Sequence, residues 1–340
     1  MIKINKTDIQ NEFYTLFPDI KTEINTYCIA SELTILNNGF EYSKMPFYSL
    51  PISLMTYITI NITNDGFFRL RFQNSDTEYI SSCNELHLYK PNGEVKEIFD
   101  AIAFSKQKIT GACILFSYDC PEPMFKNNKE AVFLAFSLIN SNKLPSPYNI
   151  MKKSDEYQKN LNSLLYGRKN CLISSDINEN IKYLPFDLEN KKIILSCFAD
   201  KKLSVKKSLL NKLSEFQEQN KIPKEVISDY GEKYILNEKE RTQKYIKNSA
   251  QKENILKPSP YELCQFLKSS QNIKKLLDAS YFSQLSCLSF ISLQYSSVVS
   301  VIEDKNIDLF IDTFRTEAEK IIGRELKFYI TDSKDSAIML

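Results

Sequence analysis

The order of apolar and polar residues divides the chain into a region rich in strands and a region rich in helices. Four early segments combine apolar runs with period-two alternation and are predicted strands: residues 27–36, 53–62, 67–72 and 109–118. A turn signal, Asn64-Asp65-Gly66, separates the second segment from the third. These two strands are therefore predicted to form a hairpin.

Apolar residues recur at helical spacing in a second set of segments, which are predicted helices: residues 94–104, 130–139, 203–219, 224–250, 261–279 and 307–322. A Ser-rich apolar run reaches residue 302, and a last strand is predicted over residues 327–330. Two successive rounds of strands followed by helices predict an α+β fold. The expected division is a first lobe over residues 1–185 and a second over residues 186–340.

Composition narrows the class of protein. The chain has 340 residues, of which 43% are hydrophobic and 25% charged, as in ordinary soluble globular proteins. A net charge of +2 gives no strong attraction to nucleic acid or to an anionic membrane. Residues 1–11 lack the apolar run of a signal peptide, and residues 286–302 are too few and too polar to span a bilayer. We therefore expect a cytoplasmic protein with neither kind of partner.

Cysteine and histidine offer little catalytic chemistry. No pair among the eight cysteines has the C-x-x-C spacing of zinc or redox sites, so buried free thiols and no metal are predicted. A Cys–His catalytic pair would need His87, the only histidine. It lies in an alternating segment, residues 85–89, which is predicted to be a strand. A packed or surface histidine is favoured there over a general base.

Glycine is scarce, and this excludes one class of site. The chain has 7 glycines, whereas an average protein of this length has roughly three times as many. No two of them lie within ten residues of each other. A phosphate cradle needs several neighbouring glycines, because backbone N–H groups must approach the anion closely. The sequence contains no such loop.

Several short phrases occur in an order that resembles galactokinase, a member of the GHMP kinase superfamily. Residues 13–17 are similar to an opening F-x-x-x-F helix, and residues 50–54 to the family's L-P-M-A-I. Residues 167–176 are similar to G-K-x-N-H-A-L-L-I-D, and residues 335–337 to D-G-A. The resemblance covers nearly the whole chain. It implies the two-lobed GHMP kinase fold, with mixed or antiparallel sheets packed with helices.

The positions at which the resemblance implies function carry other residues. Glu32 stands where the family has an arginine near the transferred phosphate, and Asn160 where it has the catalytic aspartate. Residues 121–131 stand where the family has P-x-G-x-G-L-S-S-S-A, but both glycines and all three serines are absent. Residues 291–296 replace G-G-G-F-G-G without any glycine. No catalytic residue is therefore expected.

Bulky side chains near these motifs, Met124, Phe125 and Tyr295, predict a closed nucleotide site. If ligands still bind, the resemblance implies sugar contacts at Asn38, Glu41 and Tyr42, and nucleotide contacts at Lys126, Asn127, Asn128 and Lys129.

Three functions stay open at this point. The first is a galactokinase-like protein without ATP binding or phosphoryl transfer, kept as a binding or regulatory protein for a small sugar or an unknown protein partner, with no cofactor. The second is a divergent sugar kinase that uses Mg-ATP on a galactose-like sugar, with Asp119 as base, Glu41 as sugar ligand and Lys126 as phosphate ligand. The third is an unrelated α+β interaction protein.

Overall fold

A computed structural model gives the architecture of the chain. It describes residues 5–37, 47–90, 93–120, 125–144, 161–175, 181–198, 230–247, 274–278, 286–292, 295, 297–323 and 326–339.

Twelve strands are found within these residues. In chain order they are β1 (Asn25–Leu36), β2 (Tyr48–Thr63), β3 (Phe67–Phe72), β4 (Glu78–Ser82), β5 (Gly111–Tyr118), β6 (Cys171–Ser175), β7 (Ile181–Pro185), β8 (Lys191–Phe198), β9 (Ser286–Ser292), β10 (Ser297–Glu303), β11 (Leu326–Thr331) and β12 (Ala337–Met339).

The strands form two sheets. The larger has the order β12-β1-β2-β5-β3-β4, with β6 pairing with β2 and β7 with β6. All its neighbours are antiparallel except β3 and β5, which are parallel. The smaller sheet has the antiparallel order β11-β8-β10-β9. The C-terminal strand β12 joins the larger sheet, where it pairs with β1.

The predicted hairpin of residues 53–62 with 67–72 is wrong. β5 lies between β2 and β3 and pairs with both, so these two strands are not neighbours. The physical reason is the apolar character of β5, in which every residue is buried and which therefore takes a central position in the sheet. The turn at Gly66, whose φ is 85°, only redirects the chain across β5.

The helices pack on the faces of the sheets. They are α1 (Lys6–Leu16), α2 (Glu94–Ser105), α3 (Asn128–Ser141), α4 (Leu161–Tyr166), α5 (Tyr230–Lys247) and α6 (Ile307–Ile322), and residues 274–278 are also helical. None of the helices in the described part of the chain is long and apolar enough to cross a membrane.

The strand predicted around His87 is also wrong. Leu86–Leu88 is a single turn of 3₁₀ helix in which only Leu86 is buried, while His87 and Leu88 face solvent. One buried position in three suits a 3₁₀ turn, whereas a half-buried strand needs every second position.

The larger sheet is covered on both faces. On one face, aromatic side chains of the sheet such as Phe68 and Phe116 pack against Phe99 of α2 and Phe136 of α3. On the other face, α1 buries Ile9 against Cys28, Met55 and Tyr57, and Phe13 against Leu115. The α+β fold class, with mixed and antiparallel sheets packed with helices, is confirmed.

A second core joins the two sheets. Leu33 and Leu50 of the larger sheet contribute to the same buried cluster as Leu195 and Val299 of the smaller one. The far face of the smaller sheet carries α6, whose Phe314 meets Phe328 edge-on with ring centroids 6.0 Å apart. The boundary between residues 185 and 186 stays a prediction.

Candidate functional site at the junction of the sheets

Three aromatic rings meet where the two sheets pack together. The Phe125 ring centroid lies 4.8 Å from that of Tyr295 and 5.2 Å from that of Tyr329. Phe125 is 2% exposed and Tyr295 1%. Phe125 stands just before α3 and Tyr295 between β9 and β10, so the two segments that the resemblance aligns with glycine-rich loops are in direct contact here.

Tyr295 also fixes the backbone of β1. Its phenol donates a hydrogen bond to the carbonyl oxygen of Glu32. Burial raises the pKa of Tyr295 well above its usual range, and the nearby Glu32 carboxylate adds to the shift. The phenol therefore keeps its proton and acts as a donor. Glu32 is itself buried, at 1% exposure.

The chain that enters α3 is held by buried hydrogen bonds. The Ser31 hydroxyl donates to the carbonyl of Phe125 over 3.0 Å. The backbone N–H of Asn127 donates to the Thr56 hydroxyl over 3.0 Å, and the Asn127 side chain donates to Ser31 over 3.3 Å. These contacts fix the position of the Phe125 ring at the junction.

Asn128 lies in a second polar group at the start of α3. Its amide oxygen accepts from the Tyr118 phenol over 3.0 Å, and its amide nitrogen donates to Glu94 over 2.5 Å. Burial raises the pKa of Tyr118, Glu94 raises it further, and the bond to Asn128 opposes the rise. Asn128 therefore connects β5, α2 and α3 within the protein.

The two predicted nucleotide-binding lysines contact protein groups as well. The Lys126 ammonium lies 4.5 Å from the Tyr118 ring centroid and 5.9 Å from that of Phe72. Lys129 forms a 2.9 Å salt bridge with Glu97. The structure thus brings all four predicted nucleotide-binding residues together at the start of α3, and the side chain of each contacts neighbouring protein groups.

Asp119, the candidate base, is bound to the neighbouring strand. Its carboxylate accepts from the Tyr57 phenol over 3.1 Å and from the backbone N–H of Met55 over 3.2 Å. Burial raises the pKa of Tyr57, and the Asp119 carboxylate raises it further. Both phenol and carboxylate therefore stabilise the end of β5.

The remaining predicted residues lie outside the described residues. They are the sugar contacts Asn38, Glu41 and Tyr42, the position of the family's base, Asn160, and the bulky residue Met124. Among the residues that the structure does describe, no group of three or more His, Cys, Asp or Glu side chains could hold a metal ion.

Sequence reasoning missed several buried polar groups. Among the buried side-chain oxygens that form no hydrogen bond within the described part of the chain are Thr34 Oγ1, Ser49 Oγ, Asn162 Oδ1 and Ser163 Oγ. A buried polar group without a partner costs about 1–3 kcal/mol. The only signal in the sequence is a small polar residue at a strand or helix position where an apolar one would pack.

Comparison with known proteins shows which solved structures share this fold. No protein-family model and no curated protein sequence matches the chain. Among solved structures, galactokinase from Lactococcus lactis in complex with galactose is similar, with a TM-score of 0.73 and 13% identity over 98% of this chain and 99% of that one.

Two further structures are similar at lower scores. Mevalonate kinase from Methanococcus jannaschii gives a TM-score of 0.62 at 12% identity, over 93% of this chain and 100% of that one. Mevalonate pyrophosphate decarboxylase from Streptococcus pyogenes gives 0.57 at 10% identity, over 92% and 97% of the two chains. The fold is that of the GHMP kinases. At identities this low the likeness concerns the fold alone.

Proposed function

We propose that this GHMP-fold chain is a non-catalytic binding or regulatory protein that takes up neither ATP nor Mg²⁺. The observation that carries the proposal is the buried contact between Phe125 and Tyr295. It occupies the place where the resemblance puts the two glycine-rich phosphate motifs. A nucleotide could enter only if both rings left a packed core, which is costly because protein interiors are close-packed.

Electrostatics at the junction supports the same proposal. Phosphoryl transfer needs positive groups or backbone donors aimed at the phosphate oxygens. Glu32 places a buried carboxylate where the family has an arginine, and Lys129 is paired with Glu97. The charge around the junction therefore disfavours a triphosphate.

We further propose a small sugar as the ligand, with Asn38, Glu41 and Tyr42 among its contacts. The similar galactokinase was solved with galactose, which supports a sugar of this kind as a candidate. A cytoplasmic location is part of the proposal, because the spacing of the cysteines predicts thiols, as is usual in a reducing compartment. We also propose that the chain divides into a first lobe over residues 1–185 and a second over residues 186–340.

The alternative is a divergent sugar kinase in which Asp119 acts as base with Mg-ATP. Solved kinases with a similar fold support this alternative. A turnover assay distinguishes the divergent kinase from the non-catalytic protein. The full chain is incubated with Mg-ATP and galactose, and phosphorylated sugar is sought by ³¹P NMR, with the Lactococcus lactis galactokinase as positive control. We expect no product. Product that disappears in Asp119→Asn would establish the kinase.

A further inference from the structure

Cys83 and Lys106 form a contact between a thiol and an amine, away from the junction of the sheets. The Lys106 ammonium lies 2.8 Å from the Cys83 sulfur. Cys83 follows directly after β4 and Lys106 directly after α2, so the contact joins two residues that are 23 positions apart in the chain. Both residues are partly exposed, and the contact is therefore open to small solutes.

Backbone hydrogen bonds fix both sides of this contact. The N–H of Cys83 donates to the carbonyl of Gly66 over 2.9 Å. The N–H of Lys106 donates to the carbonyl of Ile102 over 2.8 Å, and the carbonyl of Lys106 accepts from Ile109 over 2.8 Å. The Cys83 sulfur also lies 4.0 Å from the carbonyl oxygen of Ile109. The native backbone therefore holds the thiol beside the amine.

The position of Cys83 differs from that of the other described cysteines. Cys171 is also partly exposed, but no hydrogen bond joins it to a lysine in the described part of the chain. A thiol that solvent reaches is open to oxidants, and the sulfenic acid that forms condenses with a nitrogen beside it. Cys83 combines this access with a neighbouring amine. The remaining described cysteines are buried: Cys28, Cys113, Cys120 and Cys197.

We propose that Cys83 and Lys106 form a reversible sulfenamide cross-link when the protein meets hydrogen peroxide. The thiol sulfur attacks one peroxide oxygen, the O–O bond breaks, and the products are a sulfenic acid and water. The Lys106 amine, after giving one proton to solvent, then attacks this sulfur. The S–N bond forms, the S–O bond breaks, and a second water leaves. The sulfur is thus oxidised while one peroxide is reduced to water, and a thiol reductant reverses the cross-link.

The cross-link closes a loop between the end of β4 and the end of α2. Because the two side chains are already in contact in the native state, the new bond mainly restricts the unfolded chain. We expect the thermal midpoint of the oxidised protein to be about 3 °C higher than that of the reduced protein, and dithiothreitol to remove the difference. This modification does not depend on the proposed function.

Peptide mass spectrometry of the full chain tests the cross-link. The protein is treated with hydrogen peroxide and digested with trypsin without reductant. We expect the peptide of residues 72–96 to be joined to that of residues 97–108, since trypsin does not cleave after a modified Lys106. The mass of the joined species is about 2 Da below the sum of the two free peptides, because two hydrogen atoms are lost. Dithiothreitol should separate the two peptides.

The variant Lys106→Arg keeps the positive charge but removes the nucleophilic amine. We expect it to give no joined peptide and no rise of the midpoint, while dimedone traps more sulfenic acid at Cys83 than in the wild type. Cys171→Ser is the matched control, because Cys171 is the other partly exposed cysteine described, and it should keep the full cross-link. Lys106→Gln replaces Lys106→Arg if the arginine variant fails to fold.

Three results would overturn the proposal. The first is the absence of a joined peptide in the peroxide-treated wild type. The second is a cross-link at Cys83 that persists in Lys106→Arg, because another amine would then be the partner. The third is a Cys171 thiol that peroxide oxidises as fast as Cys83, because the contact with Lys106 would then confer nothing.

Discussion

Tyr295 connects the two sheets through a ring contact and a hydrogen bond, and the two can be separated by mutation. Tyr295→Phe keeps the ring against Phe125 but leaves the buried carbonyl of Glu32 without this donor. We expect the free energy of unfolding to fall by about 1–3 kcal/mol in urea titrations. Tyr14→Phe is the control, because its phenol is in an exposed bond to the Thr22 carbonyl, and a change below about 0.5 kcal/mol is expected. Equal losses would contradict the role given to Tyr295.

The Cys113 thiol makes stability depend on alkaline pH. Burial raises its pKa from 9.0 to about 11, with Arg69 opposing the rise. Because the folded pKa is the higher one, the native state keeps a proton that the unfolded state loses, and stability falls as pH rises from 9.0 to about 11. Tyr245, whose pKa burial raises to about 12, extends the fall above pH 10.0.

Urea unfolding at a series of pH values measures how the free energy of unfolding depends on pH. We expect Cys113→Ala to flatten the loss of stability between pH 9.0 and about 11 relative to the wild type. An unchanged slope in the variant would show that other groups cause the dependence.

At the scale of elements, α5 is attached to β1 through a buried ion pair. Arg241 makes bonds of 2.9 and 2.7 Å to Glu238, one turn earlier, and donates to the carbonyl of Ile35 over 2.8 Å. Beside it, the Thr242 hydroxyl donates to Asn37 over 2.8 Å. The segment that leads out of β1 is therefore held by α5.

Arg241→Met should be strongly destabilising, because it leaves the Glu238 carboxylate buried without its cation. We expect a loss of about 3–5 kcal/mol in chemical denaturation. Arg315→Met is the matched control, since Arg315 and Asp312 have the same spacing on α6 but are exposed, and a loss below about 1 kcal/mol is expected. If the two variants lost equal stability, burial of the pair would not matter.

Periodicity predicted the elements whose burial is local. The predicted helix over residues 307–322 and strand over residues 67–72 agree with α6 and β3, because each shows its own apolar face. Pairing between distant segments was harder to predict. The position of β5 between β2 and β3 depends on which strands compete for the centre of the sheet. The strand β12 has only three residues, so its pairing with β1 specifies it more than its own pattern does.

The candidate site was predictable only in part. The bulk of Phe125 and Tyr295 predicts a closed nucleotide site. The structure shows that the two rings pack together, and closure of the site stays a prediction. The buried hydroxyls of Thr34 and Ser49 without partners could not be predicted, because a serine or threonine in a strand gives no sign of whether its hydroxyl has a partner.

At the scale of the whole molecule, the fold and the residues at the phosphate motifs point in different directions. The chain shares the fold of a galactokinase over 98% of its length. Aromatic rings pack together at the two segments that the resemblance aligns with phosphate motifs. We therefore expect the fold to be retained without nucleotide binding.

Isothermal titration calorimetry with Mg-ATP measures directly whether this chain binds nucleotide. The full chain and, as positive control, the Lactococcus lactis galactokinase are titrated under the same conditions. We expect no saturable heat for this chain, with or without galactose, because the buried Phe125 and Tyr295 rings pack together where the resemblance puts the phosphate motifs. A saturable isotherm with a Kd of about 1 mM or tighter, weakened by substitution of Lys126 or Lys129, would contradict it and favour the divergent kinase.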